Sequence, residues 1–455
     1  MNTSHRPRRE LSAHQLEFLA IGSAIGSGLF VGISQGLRIA GPSLVLAYAV
    51  CAVVVYVIAR CLAEMSLADR ENRTFVDHVR SQLGPRFGFV CGWSFWLTLL
   101  LIGMAELTAI GLLVRVSFPI VPQWIVVATA LAGLLALNVT RVGIFGESEV
   151  WLSSLKIVTI GAFIVLGLVA SVVPKPFGLT DANVSNLWKL GGVFPNGFAG
   201  FAAVMPVALF AFGGFEIISL AAAEAKDPMR SIPRAVNGLI ARFFVFYLGS
   251  TVALLILIPW TEVMPGTSPF LVVLEHMRLP FAAAFVNLIL ITAVLSSCNA
   301  VLFAATRTLR ALALNADAPI LMATLNGNGA PAAALVVTAA SISLAVGLNS
   351  MLPKPLFGIL IQMVSILTAV NWAFIVIAEL RFRRRKSTNA LPIFAVPWTP
   401  WSNGFVIAFV VAVLALLASD SASLPVFALA SLLLTTLGSL SMSRHRGTIE
   451  GQTIH

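Results

Sequence analysis

Twelve runs of mostly apolar residues, at roughly 16–37, 44–66, 88–116, 122–140, 150–173, 199–222, 237–260, 280–306, 332–349, 356–379, 403–419 and 424–442, occupy most of this chain. A helix needs about 20 such residues to cross the hydrocarbon of a bilayer. Inside that layer the backbone must satisfy its own N–H and C=O groups, so runs of this kind are expected to be helical. Composition agrees: 58% of the residues are hydrophobic and 11% charged, a balance that no water-soluble domain sustains over 455 residues. The expected fold class is an all-α polytopic membrane protein of 12 transmembrane helices, with short loops and no separate soluble domain.

The charge distribution reports which side each loop faces. Net charge is +10, which on a soluble protein would raise the question of nucleic acid. With the N-terminus placed in the cytoplasm, 21 of the 29 Lys and Arg residues fall on the cytoplasmic side and six outside, while Arg60 and Lys156 lie within spans. That asymmetry follows the positive-inside rule, so the basic excess reads as topology and implies no nucleic-acid partner. Residues 1–15 and 443–455 are then cytoplasmic tails, and the first span, too long for a signal-peptide core, is expected to remain as a helix. Cys51, Cys61, Cys91 and Cys298 all fall within spans and imply no disulfide framework. All six histidines lie outside the hydrocarbon, which argues against a histidine proton relay or an intramembrane metal site.

Two spans break the apolar pattern in a related way. In the first, Ile21-Gly22-Ser23-Ala24-Ile25-Gly26-Ser27-Gly28-Leu29-Phe30 spends three of ten positions on glycine, a residue that costs about 1 kcal/mol in a helix interior. A glycine-broken span implies a protein-lined cavity where freed backbone groups meet a ligand. A ligand with one carboxylate and one ammonium fits, because the N-terminal end of a half-helix attracts an anion and the C-terminal end a cation. In the sixth span, Phe210-Ala211-Phe212-Gly213-Gly214-Phe215-Glu216 places a glycine pair and an acid at mid-span. The breaks lie five spans apart, an odd number. Spans 1–5 (residues 16–173) and 6–10 (residues 199–379) would therefore sit in opposite orientation as an inverted repeat, with 403–442 supplying two extra helices.

Other polar residues stand inside the spans. Glu106 lies deep in the third, where an ionisable side chain needs a partner or water. It reads either as lining a substrate path or as a structural hydrogen-bonding group. Lys156 in the fifth is a candidate proton carrier, since a desolvated amine can give up its proton; the alternative is a lysine that snorkels to the interface. Arg60 and Glu64, four apart on one helical face, are expected to pair with each other, and the loop 67–87 to be solvated surface. In the eighth span Ser296-Ser297-Cys298-Asn299 could hold a cation or bond to neighbouring backbone. Gln362, Ser365, Thr368 and Asn371 share one face of the tenth, so Ser297, Asn299 and Gln362 are candidate polar groups of the cavity.

The run Gly22-Ser23-Ala24-Ile25-Gly26-Ser27-Gly28-Leu29-Phe30 resembles the GGAIGTGLF segment of bacterial amino acid permeases in the amino acid-polyamine-organocation (APC) superfamily. The likeness continues, in order and spacing, through Arg60, Glu64 and Met65, Gly92-Trp93, Ala105-Glu106-Leu107-Thr108-Ala109, and Phe145-Gly146-Glu147 ahead of Lys156. It extends to Val184-Ser185-Asn186-Leu187-Trp188, Phe212-Gly213-Gly214-Phe215-Glu216 and Ser231-Ile232-Pro233-Arg234-Ala235, covering residues 14 to about 385. The resemblance implies the LeuT-like fold of five-plus-five inverted repeats with helices 1 and 6 broken, and import of amino acids with protons across a bacterial cytoplasmic membrane. It implies that the substrate carboxylate meets amides of Ile25, Gly26, Ser27 and Gly28, and the ammonium meets carbonyls of Phe210, Ala211, Phe212 and Gly213. It further implies that Lys156 stands in for a sodium ion and couples the proton, and that Glu106 lines the site. No catalytic residue, metal or cofactor is expected, only the proton as coupling ion.

The chain departs from the family pattern at Ser27, where threonine is usual, at Arg38 in an outer loop, and at Thr308-Leu309-Arg310. Its pattern is nearest to the aromatic, proline and γ-aminobutyrate branches. The other readings are an amino acid exchanger and a non-transporting amino acid sensor; a sensor is expected to carry a sizeable cytoplasmic tail. The sequence leaves open the particular amino acid and the oligomeric state.

Overall fold

The computed structural model describes residues 25–69, 74–138, 142–173, 176–216, 227–327, 329–352, 355–385 and 394–452. Ile21 to Ala24 of the glycine-rich run, the tail 1–15 and the far end of the sixth span, 217–222, lie outside the described residues. No described residue is in a strand. Helix α1 opens as a π-turn, Gly28–Gly32, and continues as Ile33–Ala40; α2 is Leu44–Ala68, α3 Phe75–Leu83, α4 Pro85–Ser117, α5 Gln123–Asn138 and α6 Val142–Val172. Helix α7 comprises Gly197–Ala203 and Met205–Phe212, and α8 runs through Pro228–Phe243, Phe244–Gly249 and Ser250–Leu257. There follow α9 Pro269–His276, α10 Pro280–Leu314, α11 in two parts, Ala332–Ile342 and Leu344–Met351, α12 Leu356–Arg385, α13 Trp401–Ser419 and α14 Leu424–Gln452.

Among the described residues nine stretches are long and apolar enough to cross a membrane. One of them, Gly28–Ala68, contains both α1 and α2, and the shorter apolar helices Gln123–Asn138 and Gly197–Phe212 fall where the fourth and sixth spans were expected. The protein is thus an all-helical, multiply spanning membrane protein. Its long helices differ in position: 78% of the apolar window of α4 is buried, and equally of α10, against 11% for α14. Helices α4, α10 and α12 therefore form the interior around which the others pack, and α14 presents most of its surface outward, an arrangement only an apolar solvent tolerates.

Two expectations fail around α3 and the start of α13. The stretch 67–87 is not merely solvated surface, for it contains α3, whose Phe75, Val76, His78 and Val79 are buried. The sequence supports this through a capping box, in which the Asp77 N–H donates to Thr74 Oγ1 at 3.2 Å and the Thr74 N–H to Asp77 Oδ2 at 3.0 Å. An apolar stripe then docks the helix, and Asp77 and Arg80 tie it to the end of α10 through Asn315 Nδ2, at 2.8 Å, and the Asp317 carboxylate.

Arg60 and Glu64 also do not pair with each other. Arg383 of α12 donates to both carboxylate oxygens of Glu64, its Nε at 2.8 Å, and the Val396 N–H donates to the same carboxylate at 2.7 Å. Arg60 instead lies over the Phe394 ring, 3.6 Å from its centroid, and donates to Asn237 Oδ1 and the Ala395 carbonyl. A buried carboxylate is best served by a planar fork reaching both its oxygens, and Arg383 approaches from the facing helix with that geometry.

Candidate functional site

Ile25 and Gly26 are not helical; α1 begins after them, with Leu29 and Phe30 donating to the Gly26 carbonyl at 3.2 and 3.4 Å. Two glycines allow what surrounds it. A Cβ on Gly28 would stand 2.7 Å from the Ala211 Cα, so the start of α1 and the end of α7 pack backbone to backbone. A Cβ on Gly26 would stand 2.3 Å from Glu106 Oε1 and 2.5 Å from Ser297 Oγ, so both side chains lie flush against the break.

Glu106, 3% exposed, is the centre of this arrangement. Its carboxylate accepts the Ser27 N–H at 3.0 Å on Oε2 and 3.2 Å on Oε1, and the Ser297 O–H at 3.1 Å on Oε1. Lys156 is fully buried, which rules out snorkelling to the interface, and its charge acts on Glu106. Three elements thus converge: the start of α1, and side chains from α4 and α10.

Helix α7 ends at Phe212. Gly213 adopts extended backbone with ψ 147°, its N–H donating to the Phe210 carbonyl at 3.0 Å. The Ala211 carbonyl accepts the Tyr247 O–H of α8 at 2.6 Å. Carbonyl oxygens have two lone pairs, so both retain capacity for a further donor. The Phe212 ring stacks on Tyr247, with centroids 4.6 Å apart, and meets Tyr48 and Phe243 edge-on. Beyond the break, Glu216 accepts the Gly214 N–H at 3.0 Å and the Trp372 indole N–H.

The structure therefore brings together Ile25, Gly26, Ser27, Gly28, Glu106, Ser297 and the stretch from Phe210 to Gly213, with Lys156 coupled to Glu106. Asn299 faces elsewhere, accepting from Asn138 Nδ2 of α5 at 2.6 Å. Gln362 is half-buried on α12; one turn on, Ser365 donates to the Pro206 carbonyl at 2.6 Å and so ties α12 to α7. Tyr247 was missed. With only three tyrosines in the chain, a hydroxyl in the middle of an apolar run was a signal, because a buried tyrosine seeks an acceptor. Among the described residues no group of three or more His, Cys, Asp or Glu could hold a metal ion, and the four cysteines are buried and free.

A family model described as amino acid permease matches residues 15–438. The aromatic amino acid transport protein AroP of Escherichia coli (strain K12) is 35% identical over 411 residues, 90% of this chain and 90% of its own. The protein of the same name from Salmonella typhimurium (strain LT2) is 35% identical over 410 residues, 90% of this chain and 89% of its own.

Proposed function

The chain belongs to the amino acid permease family, a family of transporters rather than enzymes, and from that premise we propose that it imports an amino acid across a bacterial cytoplasmic membrane by proton symport. The observation that carries this reading is the meeting of the start of α1 with the end of α7, Gly28 against Ala211, with the buried Glu106 carboxylate against the same turn. Amides of Ile25 to Gly28 take the substrate carboxylate, where a helix begins and its dipole favours an anion. Carbonyls of Phe210 to Gly213 take the ammonium. Because the similar proteins of E. coli and Salmonella are named for aromatic amino acids, an aromatic side chain is the proposed specificity.

Lys156 supplies the coupling proton: its protonated form provides the cation that an ion-coupled site needs, and release to the cytoplasm returns the neutral amine. Access alternates as the elements carrying the two breaks rock against the bundle of α4, α5, α10 and α11, both termini staying cytoplasmic. The test is uptake of labelled amino acids into proteoliposomes under an imposed proton gradient, an imposed sodium gradient, and neither. Accumulation of aromatic amino acids under the proton gradient alone is expected. Flux that requires an amino acid inside the vesicles would make the protein an exchanger, and binding without flux would make it a sensor.

A further inference from the structure

We infer that Glu106 is a resident stand-in for the substrate carboxylate: it holds the first-helix donor that the substrate needs, and the two compete for it. This rests on the reading that an amino acid binds at the first-helix break. The Ser27 N–H points between the two Glu106 oxygens at 3.0 and 3.2 Å, and the Ser297 hydroxyl completes a three-bond cradle. The carboxylate is pressed to the backbone, since a Cβ on Gly26 would fall 2.3 Å from Oε1. Two carboxylates cannot share one amide hydrogen in so buried a place, where like charges repel strongly.

The substrate must therefore turn Glu106 out of the cradle. The partner at hand is Lys156, whose charge is already coupled to it. Carboxylate exchange at Ser27 then delivers an anion to Lys156, so that occupation of the site is felt at the proton carrier. Discrimination follows as well: a compound without a carboxylate has nothing with which to displace Glu106.

The experiment uses the purified full-length protein, wild type, Glu106→Gln and Ser297→Ala, each checked for unaltered melting in detergent. Dissociation constants are measured for L-phenylalanine, for 3-phenylpropionate, which keeps only the carboxylate, and for 2-phenylethylamine, which keeps only the ammonium. A neutral amide holds the cradle less firmly than a carboxylate. Glu106→Gln is therefore expected to tighten L-phenylalanine and 3-phenylpropionate by about five- to tenfold and to leave the amine unchanged. Ser297→Ala, which removes one donor from the stand-in, is expected to shift the two carboxylates in the same direction by less. Infrared difference spectra on binding L-phenylalanine carrying 13C at its carboxylate should show an unlabelled carboxylate band change in the wild type that Glu106→Gln lacks. Weaker binding of L-phenylalanine and the amine together would make Glu106 an ammonium partner and overturn the inference; three unchanged constants would make it structural and do the same. Wild-type protein that binds no amino acid of the uptake panel would overturn the transport reading, and this inference with it.

Discussion

Gly28 and Ala211 touch through their backbones, and that contact sets the tolerance of the whole site. In Gly28→Ala the new methyl would fall 2.7 Å from the Ala211 Cα; because backbone must move to accept it, uptake is expected to fall about a hundredfold while membrane abundance changes little, compared by transport and immunoblot. Tyr247→Phe removes the donor to the Ala211 carbonyl. A loss of about 1 kcal/mol in stability and a raised KM for uptake are expected, read from melting in detergent and initial rates. Lys156→Gln should abolish proton-driven accumulation yet leave binding measurable. Glycine and charge inside an apolar run were legible because both are unfavourable there without a reason, which is how Gly26, Glu106 and Lys156 stood out. Tyr247 and the partner of Asn299 did not, since an ordinary amphipathic residue acquires its meaning only from the helix opposite.

Among elements, the cluster around Glu64 shows how far one-dimensional spacing reaches. The four-residue interval between Arg60 and Glu64 suggests a pair, but the true partner, Arg383, is 319 residues away, where no periodicity can point. Arg383 also contacts Glu379, 2.6 Å from Nε to Oε1, while Asn403 Nδ2 donates to that carboxylate at 2.6 Å. One guanidinium thereby joins α12 to α2, and Asn403 ties α13 to the same cluster through Glu379. Arg383→Ala strands two buried carboxylates and is expected to destabilise by about 3–5 kcal/mol, measurable as a lowered melting temperature.

Helix α3 carries a pH dependence of its own. Burial pushes the His78 imidazole down to about 4, from an ordinary value of about 6.5. Above the ordinary value the ring is neutral in folded and unfolded chains alike. As pH falls from there toward 4, only the unfolded chain takes up the proton, so stability is lost over that window, by up to about 3 kcal/mol. Melting curves between pH 7 and pH 4.5 should show this loss, and His78→Gln should flatten it.

Over the whole molecule, an all-helical membrane protein follows from the apolar runs alone, and the described helices occupy most of the expected spans. The boundaries moved where helices continue past the hydrocarbon: α10 extends to Leu314 and α8 begins at Pro228, because backbone hydrogen bonding does not stop at the lipid surface. What the runs could not convey is convergence, the fact that α4 and α10 aim Glu106 and Ser297 at one turn of α1. The inverted repeat is proposed from the paired breaks at Gly26 and Gly213, and it requires both termini on one side; cysteines introduced near each end should be labelled only from the cytoplasm.

The central claim is that a zwitterion lies between the two breaks, its carboxylate at the first and its ammonium at the second. The most direct measurement is binding of an accepted amino acid beside its carboxamide, which lacks the anion, and its N-acetyl derivative, which lacks the cation. Losses of about a hundredfold or more are expected for each, since each strands one set of backbone groups. Undiminished binding of either derivative would contradict the claim and place the substrate elsewhere.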